Sequence, residues 1–324
     1  MKELLKSYIK KSIALNSAAR ITHRILHNLR ILSGNIYTIS GTTHINLSVD
    51  KSIDYIEQVY EDYKRVSKRQ QFNGRLAELG PGDNIGVVLM FLANGISEAD
   101  APDRFYSYRD NISQNKIYDA LANKHPNIKQ ILLKTNASEY EKIPRIKRYY
   151  GPTASGEKFF NKNFGYDVII SRSVLEHLDD PLNVLQNMYK SLNMGGILIH
   201  KIDLRDHGMF TPYQHATKFL EVPKLLYTSM THGTGYPNRI LFHQYKKTLE
   251  SLNGKHKYWF YISGLHGTAP LEKEYSLEEL PIESKKESLS YIKQHKHKYS
   301  KEFKCVADEE LMVSSFFLVC EKTQ

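Results

Sequence analysis

The chain has 324 residues, of which 41% are hydrophobic and 25% charged, and lysine plus arginine exceed aspartate plus glutamate by ten. This composition is typical of a folded globular protein and excludes the disordered, collagen-like and coiled-coil classes. The two cysteines, Cys305 and Cys320, exclude a disulfide framework and a CxxC metal knuckle. No apolar run reaches the ~18 residues of a membrane span, and no signal-peptide pattern opens the sequence. We therefore expect a cytoplasmic protein.

Residues 1–70 are predicted to form a basic helical extension, because they hold 12 lysines and arginines against six acidic residues. Two interpretations of its first helix stay open: the helix packs on the main domain or on a second subunit of an oligomer, or it binds an anionic membrane surface. A second helix is predicted over residues 52–68, with Asp50 in its N-cap region. The first helix has apolar side chains at helical spacing and lysines on its other side, at Leu4, Leu5, Tyr8, Ile9 and Ile13 and at Lys2, Lys6, Lys10 and Lys11.

From Arg75 onward, short apolar runs alternate with amphipathic helices, which predicts an α/β domain over residues 71–324 with a mostly parallel sheet. Helices are predicted over residues 85–93 and 181–192, and residues 285–304 form a basic, helical stretch. The predicted strands are residues 76–79, 167–171, 197–202, 257–262 and 315–320.

The most informative segment is Glu78-Leu79-Gly80-Pro81-Gly82-Asp83, in which an acidic residue ends the first strand and two glycines lie in the following turn. Such glycines let a ligand lie against bare backbone at the carboxyl end of a strand. The spacing departs from the GxGxxG of dinucleotide-binding domains, because the next glycine, Gly86, comes one residue late. No GxxxxGK[ST] occurs, which excludes a P-loop.

Three further segments follow in order: Asp167-Val168-Ile169-Ile170-Ser171, Val174-Leu175-Glu176-His177-Leu178 and Leu192-Asn193-Met194-Gly195-Gly196. With them the chain resembles the class I S-adenosylmethionine-dependent methyltransferases over about residues 70–205. The resemblance implies a Rossmann-like fold, whose mostly parallel seven-stranded sheet has its last strand antiparallel. It also implies S-adenosyl-L-methionine as cofactor and S-adenosyl-L-homocysteine as product.

The resemblance further implies a set of cofactor-binding residues near the glycine turn. Glu78, Gly80 and Gly82 would bracket the methionine part of the cofactor. Asp83 and Ser171, which lie beside these landmarks in the sequence, complete this group.

Two acidic side chains are expected to contact the rest of the cofactor. In the family, an acidic residue that closes the second strand holds the ribose hydroxyls, and Asp103 fits because it lies 21 residues after Gly82. Asp100 stays a rival, since residues 98–103 are polar and contain a proline, unlike a clean apolar strand. Glu157 would lie near the purine, with a plain surface loop as the alternative.

The segment from His200 to His207, His-Lys-Ile-Asp-Leu-Arg-Asp-His, is the candidate for the acceptor side of the site. It follows a predicted strand, and ligands lie beyond the carboxyl ends of parallel strands. His207 or His200 could act as the general base, with Asp203 orienting the imidazole, and His177 is the alternative base. Asp203, Asp206 and His207 could instead hold a divalent metal ion, which we do not favour.

Residues 208–250 are predicted to form an acceptor-binding insertion of helical and aromatic character. Ring faces and polar donors suit a carbohydrate, although the same segment could be a helical lid with ordinary aromatic packing. The stretch from His200 to His207 resembles that of bacterial methyltransferases associated with surface-polysaccharide synthesis, which implies a glycan acceptor. The side chains in question are Phe210, Tyr213, His215, Phe219, Tyr227, His232, Tyr236, Asn238, Arg239 and His243.

The predicted function is therefore O-methylation of a sugar or glycan hydroxyl. A lipid-linked acceptor at the inner membrane face would suit the basic amphipathic N-terminus. One alternative is a methyltransferase of a small metabolite or of RNA, motivated by the net charge of +10, although nucleic acid is not the favoured partner. Another is a non-catalytic binding protein on the same fold, suggested by the polar second strand.

Overall fold

The chain is seen in a computed structural model that describes residues 2–39, 41–133, 143 and 145–323. A seven-stranded sheet lies at its centre, and a separate two-stranded sheet pairs β1 (Tyr37–Thr38) with β4 (Tyr106–Ser107). The strands of the large sheet are β2 (Gly74–Glu78), β3 (Ile96–Asp103), β5 (Ile146–Tyr150), β6 (Tyr166–Arg172), β7 (Leu192–Asp203), β8 (His256–Leu265) and β9 (Val313–Lys322).

The strand order of the large sheet is β5-β3-β2-β6-β7-β9-β8. All pairs from β5 to β7 are parallel, whereas β9 runs antiparallel to both β7 and β8. The predicted α/β fold, a Rossmann-like methyltransferase sheet with its last strand antiparallel, is therefore confirmed. The five predicted strands are present with small shifts of their ends, and β3 and β5 add to them.

Helices cover both faces of the large sheet. Among the described residues, no helix combines the length and the apolar character that a bilayer crossing needs. The helices are α1 (Lys2–Lys11), α2 (Ile13–Leu32), α3 (Val49–Ser67), α4 (Gly86–Ala93), α5 (Asn111–Lys124), α6 (Pro126–Leu132), α7 (Gly156–Phe159), α8 (Pro181–Ser191), α9 (Lys224–Thr231), α10 (Phe242–Glu250), α11 (Ile282–Lys296), α12 (Lys301–Lys304) and α13 (Asp308–Met312).

Two apolar layers, one on each face of the sheet, form the core. Side chains alternate between the faces along a strand, so that Val168 and Ile170 of β6 pack in one layer and Ile169 in the other. The first layer contains residues of α3, α4, α5 and α6, and the second contains residues of α7 to α13. Both faces of the central strands are thus covered, as expected for parallel strands.

The polar second strand forms despite its composition. Asp100 lies in the buried middle of β3, where its carboxylate accepts hydrogen bonds from Tyr166 Oη at 2.6 Å and Tyr149 Oη at 3.2 Å and pairs with Arg75 Nη2 at 2.5 Å. Pro102 contributes its carbonyl oxygen to the N–H of Gly80 at 2.9 Å. The expectation of a poor second strand was wrong, because neighbouring elements supply the partners of the buried carboxylate.

Helix α3 belongs to the core of the α/β domain. Its Ile56 and Tyr63 are fully buried in the layer beside α4, where the ring of Tyr60 packs edge-on against that of Phe91. The N-cap is Ser48, whose Oγ accepts the N–H of Lys51 at 3.3 Å, rather than the predicted region of Asp50. The predicted domain boundary at residue 70 separates α3 from the sheet on which it packs.

The N-terminal segment holds two helices where one was predicted. Helix α1 ends at Lys11, and Ser12 caps α2 by accepting the N–H of Leu15 at 3.4 Å. Helix α2 then continues to Leu32 and packs against α9. The first predicted helix included Ile13, which the structure places at the start of α2.

The position of α3 predicts where the chain can be shortened. A chain that begins at Ser48 should keep a cooperative thermal transition, whereas one that begins at Gln71 should lose it. Removal of α3 uncovers several apolar side chains worth about 1.5–3 kcal/mol each, comparable in sum with the whole stability of a domain. Circular dichroism melting of both chains checks this, and equal melting temperatures would contradict it.

Candidate functional site

A cavity of about 1040 Å³ opens at the carboxyl ends of β2, β3 and β6. The wall is formed by these strand ends and the loops that follow them, together with parts of the N-terminal segment. Parallel pairing of β2 with β3 and β6 brings the three ends side by side. In open α/β sheets this edge is where ligands bind.

The turn after β2 brings bare backbone to the cavity. Gly80 and Gly82 have φ angles of +69° and +67°, a region that side chains disfavour. A Cβ atom would lie 2.6 Å from Cγ2 of Val174 at Gly80 and 2.5 Å from the carbonyl oxygen of Gly41 at Gly82. Backbone conformation and close packing therefore both require glycine at these positions.

Glu78, the last residue of β2, borders the cavity with a buried carboxyl group. Its Oε2 is enclosed and has no hydrogen-bond partner among the described residues. Burial raises the pKa of Glu78 to about 8, while the positive charge of Arg148 acts in the opposite direction. A buried oxygen without a partner is expected where a ligand donates a hydrogen bond. The Glu78 carboxyl therefore fits its predicted contact with the amino-acid part of a cofactor.

The structure separates the two rivals at the end of the second strand. Asp103 borders the cavity, and its Oδ1 accepts the N–H of Phe105 at 2.9 Å. Burial raises the pKa of Asp103 to about 6. Asp100, three residues earlier, does not border the cavity. Its carboxylate accepts hydrogen bonds from Arg75, Tyr149 and Tyr166 inside the fold.

Asp83 borders the cavity but binds protein backbone. Its Oδ2 accepts the N–H groups of His44 and Ile45 at 3.0 and 3.1 Å, and its own N–H donates to the carbonyl of Gly41 at 3.1 Å. These bonds hold the N-terminal segment over the glycine turn. The predicted direct contact of Asp83 with the cofactor is therefore better described as support for the cavity wall.

Glu157 also borders the cavity, at the start of α7. Its Oε1 accepts the N–H of Asp179 at 3.1 Å, which ties this loop to the one before α8. Its predicted position near the purine stays a prediction.

Ser171 and His200 do not reach the cavity. They lie on the paired strands β6 and β7, both fully buried, with Ser171 Oγ 2.8 Å from His200 Nδ1. Burial lowers the pKa of His200 to about 3, so the ring is neutral. Enclosure inside the sheet does not fit the predicted cofactor contact of Ser171 or the predicted catalytic role of His200.

Three side chains from two neighbouring loops meet at the cavity, and we call Glu176, His177 and His207 the Glu176 cluster. The rings of His177 and His207 lie 4.7 Å apart between centroids and both border the cavity. Glu176 is only 1% exposed, and its Oε1 lies 3.8 Å from His207 Nε2. Burial raises the pKa of Glu176 well above its ordinary value and lowers that of His177 to about 4.

His207 and Ser173 have positive φ angles of +47° and +53°, which residues other than glycine rarely adopt. Both residues border the cavity. Such conformations cost free energy and concentrate at functional sites. Glu176 and Ser173 were missed at the sequence level. An acidic residue inside the apolar segment from residue 174 to 178 was the signal available for Glu176.

Asp203 and Asp206 support the loop that carries His207. Asp203 pairs with Arg205 at 2.5 Å, does not border the cavity, and places its carbonyl oxygen 3.2 Å from His207 Nε2. Asp206 accepts the N–H groups of Gly208, Phe210 and Thr211 and the hydroxyl of Thr211. The metal site considered for Asp203, Asp206 and His207 does not fit these contacts, because both carboxylates are already engaged.

The N-terminal segment closes one side of the cavity, which the sequence did not indicate. His23 and His27, one helical turn apart on α2, both border the cavity, and His27 packs on Phe105 at 5.3 Å between ring centroids. The pairing of Tyr37 in β1 with Tyr106 in β4 ties this segment to the loop after β3.

Most of the aromatic insertion over residues 208–250 belongs to the core. Phe210, Phe219 and Tyr227 are buried, and Asn238 and Arg239 bind backbone carbonyls of their own domain. From this insertion, residues 234–237 border the cavity. The predicted carbohydrate lining is therefore wrong for the three buried rings, whose apolar faces are already covered by neighbouring side chains.

Comparison with known proteins identifies the family of this chain. A family model described as a methyltransferase domain matches residues 54–248, more than half of the chain. In the comparison with curated proteins, none matches the chain. Phosphoethanolamine N-methyltransferase 2 of Haemonchus contortus, solved with S-adenosyl-L-methionine, is 12% identical with a TM-score of 0.40, covering 82% of this chain and 53% of that one.

Two bacterial structures are similar at the same level. The YcgJ protein of Bacillus subtilis is 9% identical with a TM-score of 0.40, covering 83% of this chain and 98% of that one. An O-methyltransferase family protein from Burkholderia thailandensis is 9% identical with a TM-score of 0.39, covering 85% and 58%. On the match over residues 54–248, the chain belongs to the methyltransferase-domain family.

Proposed function

We propose that the protein transfers the methyl group of S-adenosyl-L-methionine to a hydroxyl group of a sugar or glycan. The observation that carries the proposal is that two groups of residues with different chemistry border the same cavity. The glycine turn with Glu78 and Asp103 and the imidazole rings of His177 and His207 border the same cavity. The first group suits the cofactor, and the second suits an acceptor that must lose a proton.

On the cofactor side, each residue would contact a different part of the molecule. The carboxylate of Asp103 would accept hydrogen bonds from the two ribose hydroxyls. The carboxylate of Glu78 would accept a hydrogen bond from the ammonium group of the methionine part. Gly80 and Gly82 would let the cofactor approach the backbone. Glu157 would lie near the purine. The described contacts of these side chains leave room for such bonds, above all the unpartnered Oε2 of Glu78.

The reaction is an in-line displacement at the methyl carbon. A bond forms between the acceptor oxygen and the methyl carbon while the carbon–sulfur bond breaks, and its electron pair stays on sulfur to give S-adenosyl-L-homocysteine. The acceptor hydroxyl must also lose its proton, which an amine with a free lone pair need not do before attack. The two imidazoles that border the cavity therefore favour a hydroxyl acceptor.

The size and lining of the cavity support an acceptor of sugar size. Its volume of about 1040 Å³ lies at the top of the range for small-molecule sites, so a cofactor leaves space for a second ligand. Aromatic rings of Tyr37, Phe105 and Tyr236 alternate with polar groups of Arg30 and Thr234 along the wall. Such a mixture offers ring faces to C–H surfaces and donors to hydroxyl groups.

The exposed side of the N-terminal helices supports a membrane-bound acceptor. In α2 the buried residues are Asn16 and Ser17, and Asn16 Nδ2 donates to the carbonyl of Met209 at 2.7 Å. Helix α2 packs Ile13 and Ile21 on the core beside these polar side chains, and a second apolar stripe faces outward. The stripe consists of Leu15, Ile25, Leu26, Leu29 and Leu32, the last 83% exposed.

Charge decides which surface this stripe would meet. Residues 2–39 hold seven lysines and arginines and one acidic residue. Exposed Leu4, Leu5 and Tyr8 of α1 add to the apolar surface. Apolar side chains surrounded by cations suit an anionic bilayer better than a second copy of the same basic helix. Because His23 and His27 of α2 border the cavity, this contact would bring the cavity close to a lipid-linked glycan.

Replacing Asp103 tests the cofactor side. The Asp103→Asn variant should bind S-adenosyl-L-homocysteine roughly 10- to 100-fold more weakly, because hydrogen bonds to a charged acceptor are lost. The affinity ratio between parent and variant should be largest above pH 7 and shrink as the pH falls through about 6, where Asp103 takes up a proton. Calorimetric titration measures both.

Asp100→Asn is the matched control for that measurement. This variant should lower the melting temperature, because Arg75 and Tyr166 lose their charged partner, while its affinity for S-adenosyl-L-homocysteine stays close to that of the parent. A loss of affinity in Asp100→Asn with none in Asp103→Asn would reverse the assignment.

Turnover with defined acceptors tests the reaction. The full chain with S-adenosyl-L-methionine should methylate sugars or glycans that carry free hydroxyls, detected by mass spectrometry. His207→Ala should lower kcat by about 10²- to 10⁴-fold and leave S-adenosyl-L-homocysteine binding unchanged. His215→Ala, whose ring pairs with Glu221 outside the cavity at 2.7 Å, should change neither. Methylation confined to amines would contradict the proposal.

Vesicle binding tests the membrane contact. The full chain should bind vesicles that contain phosphatidylglycerol, more weakly at high salt because the charges are screened. Leu26→Ser with Leu29→Ser should lower the binding more than tenfold, since each buried leucine contributes about 1.5–3 kcal/mol. Met194→Ser is the control, because Met194 is exposed near the amino end of β7. Equal binding by the double variant would contradict the contact.

A further inference from the structure

The Glu176 cluster has the spacing of metal ligands. Glu176, His177 and His207 each offer one ligand atom, and these atoms all lie within 4.8 Å of one another. Glu176 and His177 belong to the turn after β6, and His207 to the loop after β7. Because β6 and β7 are paired in parallel, the two loops emerge side by side and the convergence is built into the sheet.

Glu176 is a buried carboxyl group of which one oxygen, Oε1, accepts the N–H of Asp203 at 3.2 Å. It is 1% exposed, and among the described side chains only His207 lies within ion-pair distance, at 3.8 Å. Its Oε2 accepts no hydrogen bond from the described residues, and Nδ1 of His177 is also enclosed without a partner. A buried carboxylate costs free energy unless a cation or hydrogen bonds compensate it. The two imidazoles beside this carboxylate complete a set of three potential ligands for a cation.

We propose that Glu176, His177 and His207 bind one divalent transition-metal ion of the zinc or manganese type. Two imidazoles and one carboxylate are a common ligand set for such ions and leave coordination positions open for water or substrate. His177 and His207 border the cavity, which gives the ion and a substrate hydroxyl access to the site.

Asp203 holds two of the ligands in place through its main chain. Its N–H donates to Oε1 of Glu176 at 3.2 Å, and its carbonyl oxygen lies 3.2 Å from Nε2 of His207. Groups that orient metal ligands in this way are a regular part of metal sites. The carboxylate of Asp203, engaged by Arg205, stays outside the ligand set.

The inference rests on the proposed function for the acceptor and names how its hydroxyl is activated. A divalent cation lowers the pKa of a hydroxyl group that it coordinates. With the ion bound, the two histidines serve as ligands and not as proton acceptors, and the hydroxyl proton passes to water before the oxygen attacks the methyl carbon.

A second imidazole–carboxylate group in the chain provides a matched control. His215 Nε2 lies 2.7 Å from Glu221 Oε1, Lys218 Nζ lies 2.5 Å from Glu221 Oε2, and the ring of His295 lies 4.2 Å from that of His215. Here a lysine already compensates the carboxylate, and the group lies away from the cavity. We expect no metal binding by this group.

Titration of the full-length protein with metal ions tests the inference. After treatment with a chelator, the protein should bind one Co²⁺ per chain, seen as visible absorption bands, and one Zn²⁺ per chain by calorimetry. His207→Ala and Glu176→Gln should each weaken the binding at least about tenfold. His215→Ala should bind as the parent does. Each variant must still bind S-adenosyl-L-homocysteine, which shows that it is folded.

The outcomes separate this inference from the proposed function. Equal metal affinity of the parent, His207→Ala and Glu176→Gln, or no binding by the parent, would overturn the metal site even if glycans are methylated. Specific binding that both variants lose would support the site even if no hydroxyl acceptor is methylated. Unchanged kcat in the chelator-treated protein, with a glycan as acceptor, would overturn the role of the ion in the reaction.

Discussion

The parallel pairing of β2 with β3 and β6 is the constraint on which the candidate site depends. It brings three strand ends to one edge, where Glu78, Asp103 and the turn before α8 border the same cavity. The pairing of β6 with β7 then adds His207 to Glu176 and His177. No loop has to fold independently to assemble these groups, because the register of buried strands positions each of them.

Buried acidic groups in this protein divide by whether the fold itself satisfies them. Asp100 has an arginine and two tyrosine hydroxyls around it, and Asp206 has three N–H groups and a hydroxyl. Both stabilise structure. Glu78 and Glu176 each keep an enclosed oxygen that no described residue contacts by a hydrogen bond, and both lie at the cavity or directly behind it. Unpaired buried polar atoms carry a free-energy cost, which a ligand can offset.

The N-terminal segment connects the cavity to the molecular surface. Asp83 fixes it on the glycine turn through the N–H groups of His44 and Ile45, and β1 fixes it on β4. Helix α2 packs Ile13 and Ile21 on the core and turns a stripe of leucines and Ile25 outward. One segment thus borders the cavity and carries the apolar, basic surface.

The sequence by itself determined the features whose signal is local: the glycine turn, the apolar strands β6 and β9, and helix α8. Only the tertiary structure places Asp103 at the cavity and Asp100 inside the fold, where Arg75 and Tyr166 engage the Asp100 carboxylate. It also enclosed His200 in the sheet and the rings of Phe210, Phe219 and Tyr227 in the core. Burial depends on what packs around a side chain, and neither periodicity nor spacing along the chain contains that information.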